Sequence, residues 1–375
     1  MIYFDNAATT PVNRDVAALF VKLLNEYGNP DSLHQMGRKA SKLLEESRSR
    51  IAAMLKAKPE EILFTSCASE SNTMAIAGYA LANQNRGRRI ITSNSEHSSN
   101  QAAMKFLESM GFEIVRLPIH HDGTIHAKDV GKAMNKETIL VSLLHVSNET
   151  GAINDLSAIA DVVHENPTCV FHADCTQSFG KLDIPYEKLD LMSMSAHKIH
   201  GVKGSAMLLK RRNVRLQPLL FGGQQEQGLR GGTENAPVHT ALAKTIRLAL
   251  ENREKNNRRI HAVRERIVSR LPEIPGAHVL SPEGAADSIL CVCFDSMTSQ
   301  VLSNALDEKG ICVSAISTCE SRHDGANPVL LNMGCSQKEA THNIRLSFSG
   351  DNTVEEADQF IDTVKEIVQA YGLPL

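Results

Sequence analysis

The sequence predicts an α/β protein in which a large domain carries a mostly parallel, mixed sheet and a smaller domain is α+β. Three observations predict it. From about residue 60, short β-rich runs alternate with helical stretches, and strand and helix in turn imply parallel strands covered on both faces. A long polar helix near 236 to 270 interrupts that series, and strand and helix units separated by loops follow it. The 375 residues also exceed a usual single domain. The expected division is 15–255 for the large domain, with 1–14 and 256–375 forming the small one.

In chain order the large-domain strands are EILFTS (61–66), RRIITSNS (88–95), FEIVRLP (112–118), TILVSLLHV (138–146), TCVFHAD (168–174), LDLMSMS (189–195) and GSAMLLK (204–210). Helical stretches at 70–84, 97–109, 127–135 and 155–165 lie between them. Crossovers place the C-terminal ends of parallel strands on one edge, where ligands of open α/β folds sit. The small domain is read from SILCVCF (288–294), a helix at 298–309, GICVS (310–314), NIRLSFS (343–349) and a helix at 353–371. Between them, SAISTCESRHDGANP (314–328) has no hydrophobic period and reads as a long loop, a class of segment that is usually functional.

Composition excludes several function classes. With 42% hydrophobic and 22% charged residues the chain is neither disordered nor a disulfide-stapled miniprotein. Forty basic against 43 acidic residues give a net charge of -3, so no overall field gathers nucleic acid or an anionic membrane. The clusters Arg211, Arg212, Arg215 and Lys255, Arg258, Arg259 are short and read as solvated faces. No apolar run approaches the roughly 20 residues of a membrane span. Eight cysteines without CxxC spacing, and an N-terminus without an export signal, point to reducing cytoplasm. Cys291 and Cys293 alternate on one strand face and read as core packing.

Two strand ends carry the candidate chemistry. TCVFHAD runs into CTQSFG, which leaves Asp174 and Gln177 at the edge, and LDLMSMS runs into SAHKIHGVKG with Ser195, His197 and Lys198. Alone, such an aspartate caps a turn and such a lysine faces solvent. Together with hydroxyls at other strand ends they match the needs of pyridoxal phosphate: an amine for the Schiff base, an acid that keeps the pyridine nitrogen protonated, and anchors for the phosphate.

On these residues the sequence resembles the class V branch of fold type I pyridoxal phosphate enzymes, and within it the cysteine desulfurases of the nitrogen-fixation and iron–sulfur type. The segments that carry the resemblance span nearly the whole chain. They are YFDNAATTP (3–11), YGNPDSLH (27–34), FTSCASESN (64–72), SEH (95–97), SNETG (147–151), ADCTQSFGK (173–181), SAHKIHGVKG (195–204), FGGQQEQGLRGGTEN (221–235), VSAISTCES (313–321) and NIRLSFS (343–349).

The resemblance implies that Lys198 forms the Schiff base, that Asp174 partners the pyridine nitrogen, that Gln177 bonds the phenolic oxygen, and that His97 stacks on the ring and moves protons. It implies a phosphate cup of Ala68, Ser69, Ser195 and His197, completed by Thr233 of a second subunit, and hence a homodimer. A helix opening at ASESN suits a phosphate through its free N–H groups and positive dipole end. Arg345, assisted by Asn148, is implied as the clamp for the L-cysteine carboxylate, because guanidinium meets carboxylate with two parallel hydrogen bonds. On the bare sequence an arginine on an apolar strand is equally a structural ion pair. Cys319 is implied as the loop thiol that takes sulfur as a persulfide, releases L-alanine and passes the sulfur to an acceptor protein. Its thiolate is disfavoured by Glu320 and favoured by Arg322 and His323.

The chain departs from the family pattern at Cys67 and Ser69 in the phosphate turn, at Gln224 and Gln227, and at Ala315, Ile316 and Glu320 around the cysteine. A β-branched Ile316 in place of glycine narrows the backbone options at the loop root. The chain ends at GLPL, without the tail that housekeeping members use on the iron–sulfur cluster scaffold, which favours another acceptor such as a tRNA-thiolation enzyme. The rival readings are a class V cysteine or cystine lyase or aminotransferase with Cys319 incidental, and a catalytically silent assembly partner. His120, His121 and His126 resemble metal ligands only by number; Asp122-Gly123 marks a turn, no carboxylate stands at ligand spacing, and no metal is expected. His200 and Lys203 are read as holding the turn after Lys198 or meeting solvent.

Overall fold

The computed structural model describes residues 1–315 and 325–371. Its strands are β1 (Ile2–Tyr3), β2 (Ile62–Thr65), β3 (Arg89–Ser93), β4 (Glu113–Leu117), β5 (Thr138–Leu144), β6 (Val170–Asp174), β7 (Leu191–Ser195), β8 (Ala206–Lys210), β9 (Ala277–Val279), β10 (Ile289–Phe294), β11 (Ile311–Cys312) and β12 (Asn343–Ser347). Seven of them form one sheet in the order β2-β8-β7-β6-β5-β3-β4. Every neighbouring pair is parallel except β2 with β8 and β8 with β7. Two reversals restore direction, so β8 alone runs backward and six strands end on the same edge. The segment between β7 and β8 is too short for a parallel crossover, which needs a dozen or more residues; antiparallel pairing is its consequence.

Strands buried on both faces read as continuous apolar runs, and all seven residues of β5 are buried. Helices Gln35–Met54, Leu156–Val163 and Ala236–Glu251 pack on one side, contributing Leu44, Ile51, Ile159, Val163, Leu242 and Ile246 to the core. Met74, Ile76, Met104 and Leu107 cover the other side. The stretch expected as one helix at 70–84 is helix Ala68–Thr73, a π-turn Met74–Gly78 and helix Tyr79–Asn83. Such single-turn widenings accumulate next to functional sites.

A second core lies around β10, paired antiparallel with β9 and β12, and around the parallel pair β1 and β11. Phe4 packs edge-on against Phe348 and Phe360, so the chain's first strand is stapled by residues from its end. Cys291 and Cys293 are fully buried on β10, where they pack as expected. The single helix expected over 236–270 is two, Ala236–Glu251 and Arg253–Arg270. Asn252 breaks it: its side-chain amide donates to the carbonyl of Leu248, a local bond that competes with helix propagation.

Candidate active site

The candidate site lies at the common strand edge. Asp174 is the last residue of β6 and 5% exposed. Asn72 donates to its Oδ2 at 2.8 Å, and the backbone N–H of Thr176 donates to Oδ1 at 3.0 Å. Asn72 comes from the helical stretch after β2, so the carboxylate is aimed by two elements. Beneath it His172 is enclosed between the hydroxyls of Ser142 and Ser193, at 2.8 and 3.0 Å, and burial pushes it down to about 4. A neutral imidazole there adds no cation to compete for Asp174.

Lys198 sits at the tip of the β7–β8 connection. Its ammonium donates to the carbonyls of Ala7 and Ala8, the latter at 2.9 Å. Burial first, and then the Arg345 guanidinium, push it down to about 8, against the pull of Asp5 and Asp174. An amine so placed is a nucleophile near neutrality, which a solvent-exposed lysine is not.

Two adjoining cavities, of about 220 and 290 Å³, share Lys198, His97, Asn148 and Gln177 as a common wall. The first is floored by Ala68, Ser69, Asn72, Asp174, Thr176 and His197. The second is lined by Ala7, Ala8, Ser314, Ala315, Asn327 and Arg345. His97 is exposed, caps helix Ser98–Ser109 and places Nδ1 at 2.8 Å from Ser99 Oγ. Gln177 donates to the carbonyl of Ala7 at 3.0 Å. His197 Nδ1 lies 3.2 Å from Thr9 Oγ1, and burial, then Lys198 and Lys203, push His197 down to about 4.

Arg345 on β12 faces the second cavity and is 7% exposed. Its Nη1 donates to the carbonyl of Asn148 at 2.9 Å, and its Nη2 to Asp5 Oδ1 at 3.1 Å. The bare-sequence reading of this arginine as an ion pair holds, and its Nε is buried without an acceptor among the described residues.

The residues fit pyridoxal phosphate by what they leave unsatisfied. Gln177 Oε1, Thr176 Oγ1 and Ser195 Oγ are buried without a hydrogen-bond partner among the described residues, a costly state that a polar ligand relieves. Ala68 opens the first turn of a helical run beside Lys198, where backbone N–H groups accept an anion.

Of the site residues expected from sequence, His97, Ala68, Ser69, Asn148, Asp174, Gln177, His197, Lys198 and Arg345 line one or both cavities. Ser195 is buried at the end of β7. Thr233 is exposed and lines neither cavity of its own chain. Cys319 lies outside the described residues; Ala315 and Ala326, which line the second cavity, stand on either side of it in sequence. Sequence reasoning missed Asn72, Thr176, Asp5 and Glu96. All four stood inside quoted segments without a role. Glu96 is fully buried beside His97, accepts from Ser93 Oγ, Asn100 and the N–H of Leu144, and is pushed by burial up to about 7.

The histidine cluster needs one correction. His120 Nε2 lies 2.8 Å from Asp129, His126 Nε2 lies 3.4 Å from Asp122, and the two rings stack at 3.8 Å. Carboxylates do reach these histidines, because the turn at Gly123, with φ +72°, folds the segment back on itself. His200 donates to or accepts at its neighbours as expected of a turn holder, with Nδ1 3.0 Å from the carbonyl of Pro11. No helix among the described residues is long and apolar enough to cross a membrane.

Comparison with known proteins agrees with this geometry. The family model for aminotransferase class V matches residues 2–360. A NifS/IcsS protein homolog of Lactobacillus delbrueckii subsp. bulgaricus is 39% identical over 99% of this chain and 98% of that protein. The cysteine desulfurase IscS of Methanosarcina thermophila is 35% identical over 98% of this chain and 92% of its own length. Among solved structures, a NifS-like protein superposes with a TM-score of 0.93 at 33% identity, covering 98% of this chain and 99% of the other. SspA in complex with cysteine superposes with a TM-score of 0.81 at 31% identity, covering 93% and 99%. The aminotransferase class V family is pyridoxal phosphate-dependent, and this chain belongs to it, in the branch of the NifS- and IscS-type cysteine desulfurases.

Proposed function

We propose that the chain binds pyridoxal phosphate through Lys198 and works as a homodimeric cysteine desulfurase. It converts L-cysteine to L-alanine, holds the released sulfur as a persulfide on Cys319 and hands it to an acceptor protein. The observation that carries the reading is Lys198, an amine pushed down to about 8, facing Asp174 across one cavity and Arg345 across the next.

Bound pyridoxal phosphate supplies an electron sink for the substrate's bonds. Asp174, fixed by Asn72 and Thr176, presents a carboxylate to the pyridine nitrogen. Ala68, Ser69, Ser195 and His197 receive the phosphate. Arg345 offers its unpaired Nε and a charge-assisted fork to the substrate carboxylate, and Asn148 borders the same cavity. Lys198, facing both cavities, would carry protons at the substrate's α-carbon. In the sulfur step the carbon–sulfur bond of cysteine breaks, its sulfur joins Cys319, and a proton completes the methyl group of alanine. No outside oxidant enters.

Support for the dimer comes from the exposed end of the Thr233 segment. Tyr27, Leu33 and Phe221 are more than four-fifths exposed, at 82%, 89% and 81%. The 2.5 Å bond from Gln225 to Asp31 holds their two segments together. Apolar side chains so presented mark a surface that a second copy covers.

The test is one incubation with L-cysteine and dithiothreitol. Alanine and sulfide are expected in equal amounts, both lost in Cys319→Ser. Pyruvate and ammonia that survive this substitution would establish a lyase instead, and protein that develops no visible cofactor band with added pyridoxal phosphate would sink the assignment altogether.

A further inference from the structure

A third cavity, of about 250 Å³, is lined by Lys198, Ile199 and His200 but not by Asp174. Its walls come from that turn, from Gly180 and Lys181, from the break between the two long helices at Asn252, and from Ser349 to Asp351 after β12. Three of its lining cations, Lys181, Lys255 and Arg259, make no salt bridge with any described carboxylate. This sets Lys255 and Arg259 apart from Arg253, Arg266 and Arg270 of the same helix, each of which is paired.

Lys181 is partly buried, and no described group accepts a hydrogen bond from its ammonium. Burial and the nearby Lys198 push it down to about 8, the cost of an uncompensated buried cation. Lys255 and Arg259 stand four residues apart on helix Arg253–Arg270, a like-charge spacing that destabilises an isolated helix. Of the guanidinium donors of Arg259, Nη1 reaches the carbonyl of Gly350 at 3.2 Å. Asn252, at the break between the two helices, lines the cavity and makes no side-chain cap bond to the second of them. The one carboxylate among the lining residues is Asp351, whose side chain is 82% exposed and lies 4.0 Å from His200.

We propose that this cavity is a second binding site, distinct from the cofactor site, for a compact tetrahedral oxyanion of the phosphate class. Lys181 holds the anion from inside, and Arg259 and Lys255 close over it at the mouth. The donor set is cationic and amide, and the single lining carboxylate, Asp351, has a side chain that is 82% exposed. Such a set rejects cations and gains most from a small dianion. Because the cavity touches the backbone turn of Lys198, a bound anion also braces that turn.

The test uses the enzyme loaded with pyridoxal phosphate, so that the cofactor's own phosphate cup is filled. Calorimetric titration with inorganic phosphate, at constant ionic strength held with chloride, is expected to give one site per chain. Lys181→Met and Arg259→Gln should each weaken binding at least tenfold. Lys181→Met should raise the melting temperature without phosphate, because it removes an unpaired charge, and lose the further rise that phosphate gives the parent. Glycerol 3-phosphate binding more tightly than inorganic phosphate would identify the ligand as the phosphate group of a larger molecule; the reverse order would identify it as the free ion. Equal phosphate affinity in parent and Arg259→Gln, or no saturable binding in the parent, overturns the proposal.

Discussion

The two halves of the candidate site are built in opposite ways. On the cofactor side, Asp174, Gln177, Ser195 and His197 follow directly from β6 and β7, neighbouring strands of one ladder. Their backbone positions are fixed by the sheet before any side chain acts. On the substrate side, Arg345 meets Asp5 across 340 positions of sequence and Asn148 across 197. That half exists only when three distant segments have docked. The difference teaches where precision comes from. Under the proposed function, rigid strand ends would hold the group that must not move, and a docked junction the group that must exchange ligands, with Arg345 meeting each new substrate.

Substitutions can break this comparison. The largest loss is expected on the rigid side. Asp174→Ala should lower desulfuration by about a thousandfold, the scale for removing one preorganised electrostatic group, while circular dichroism stays that of the parent. Asn72→Ala, which only unties the carboxylate, should cost far less, and equal losses would show that Asp174 needs no aiming. On the docked side, Arg345→Lys keeps the charge but gives up the fork. An effect of about 1.5–3 kcal/mol for a charge-assisted bond corresponds to roughly 10- to 100-fold. It is expected in KM for L-cysteine with kcat nearly unchanged; a fall in kcat alone would place Arg345 with the chemistry instead.

The smallest effect is a pH dependence that spans both halves. Lys198 is protonated below about 8 and neutral above it, because burial and Arg345 disfavour its charge. Covalent uptake of pyridoxal phosphate by the cofactor-free protein should therefore rise about tenfold per pH unit up to that value and flatten beyond it. Arg345→Met removes one of the two causes, so the midpoint should move upward. A midpoint near 10.5, the ordinary lysine value, in the parent protein would mean that the amine is solvated and the junction open.

How much of this was legible in the sequence follows the same division. The strand runs were readable because parallel strands buried on both faces are apolar throughout, and the polar residues that end them stand out. Asp174 and Lys198 were found that way. The reversal of β8 was present in the sequence as a missing helix: only SAHKIHGVKG separates two strands that a parallel link would have to join. The π-turn at 74–78 leaves no such mark, since MAIAG is an unremarkable apolar stretch whose geometry depends on packing against its neighbours. Nor does the partnership of Asp5 with Arg345, because nothing local relates residues so far apart. Tertiary contact decided it, and periodicity is blind to that.

Residues 2–8 meet partners made at very different times. Ala7 and Ala8 receive Lys198, Asp5 receives Arg345, and Ile2 and Tyr3 pair with Ile311 and Cys312. Asp5, Ile2 and Tyr3 find these partners only after residues 311–345 have been translated, long after the last strand of the central sheet, which ends at Lys210. A nascent chain can thus complete its central sheet and still lack the Arg345 wall of the second cavity, so the two halves of the site come into being at different stages of translation.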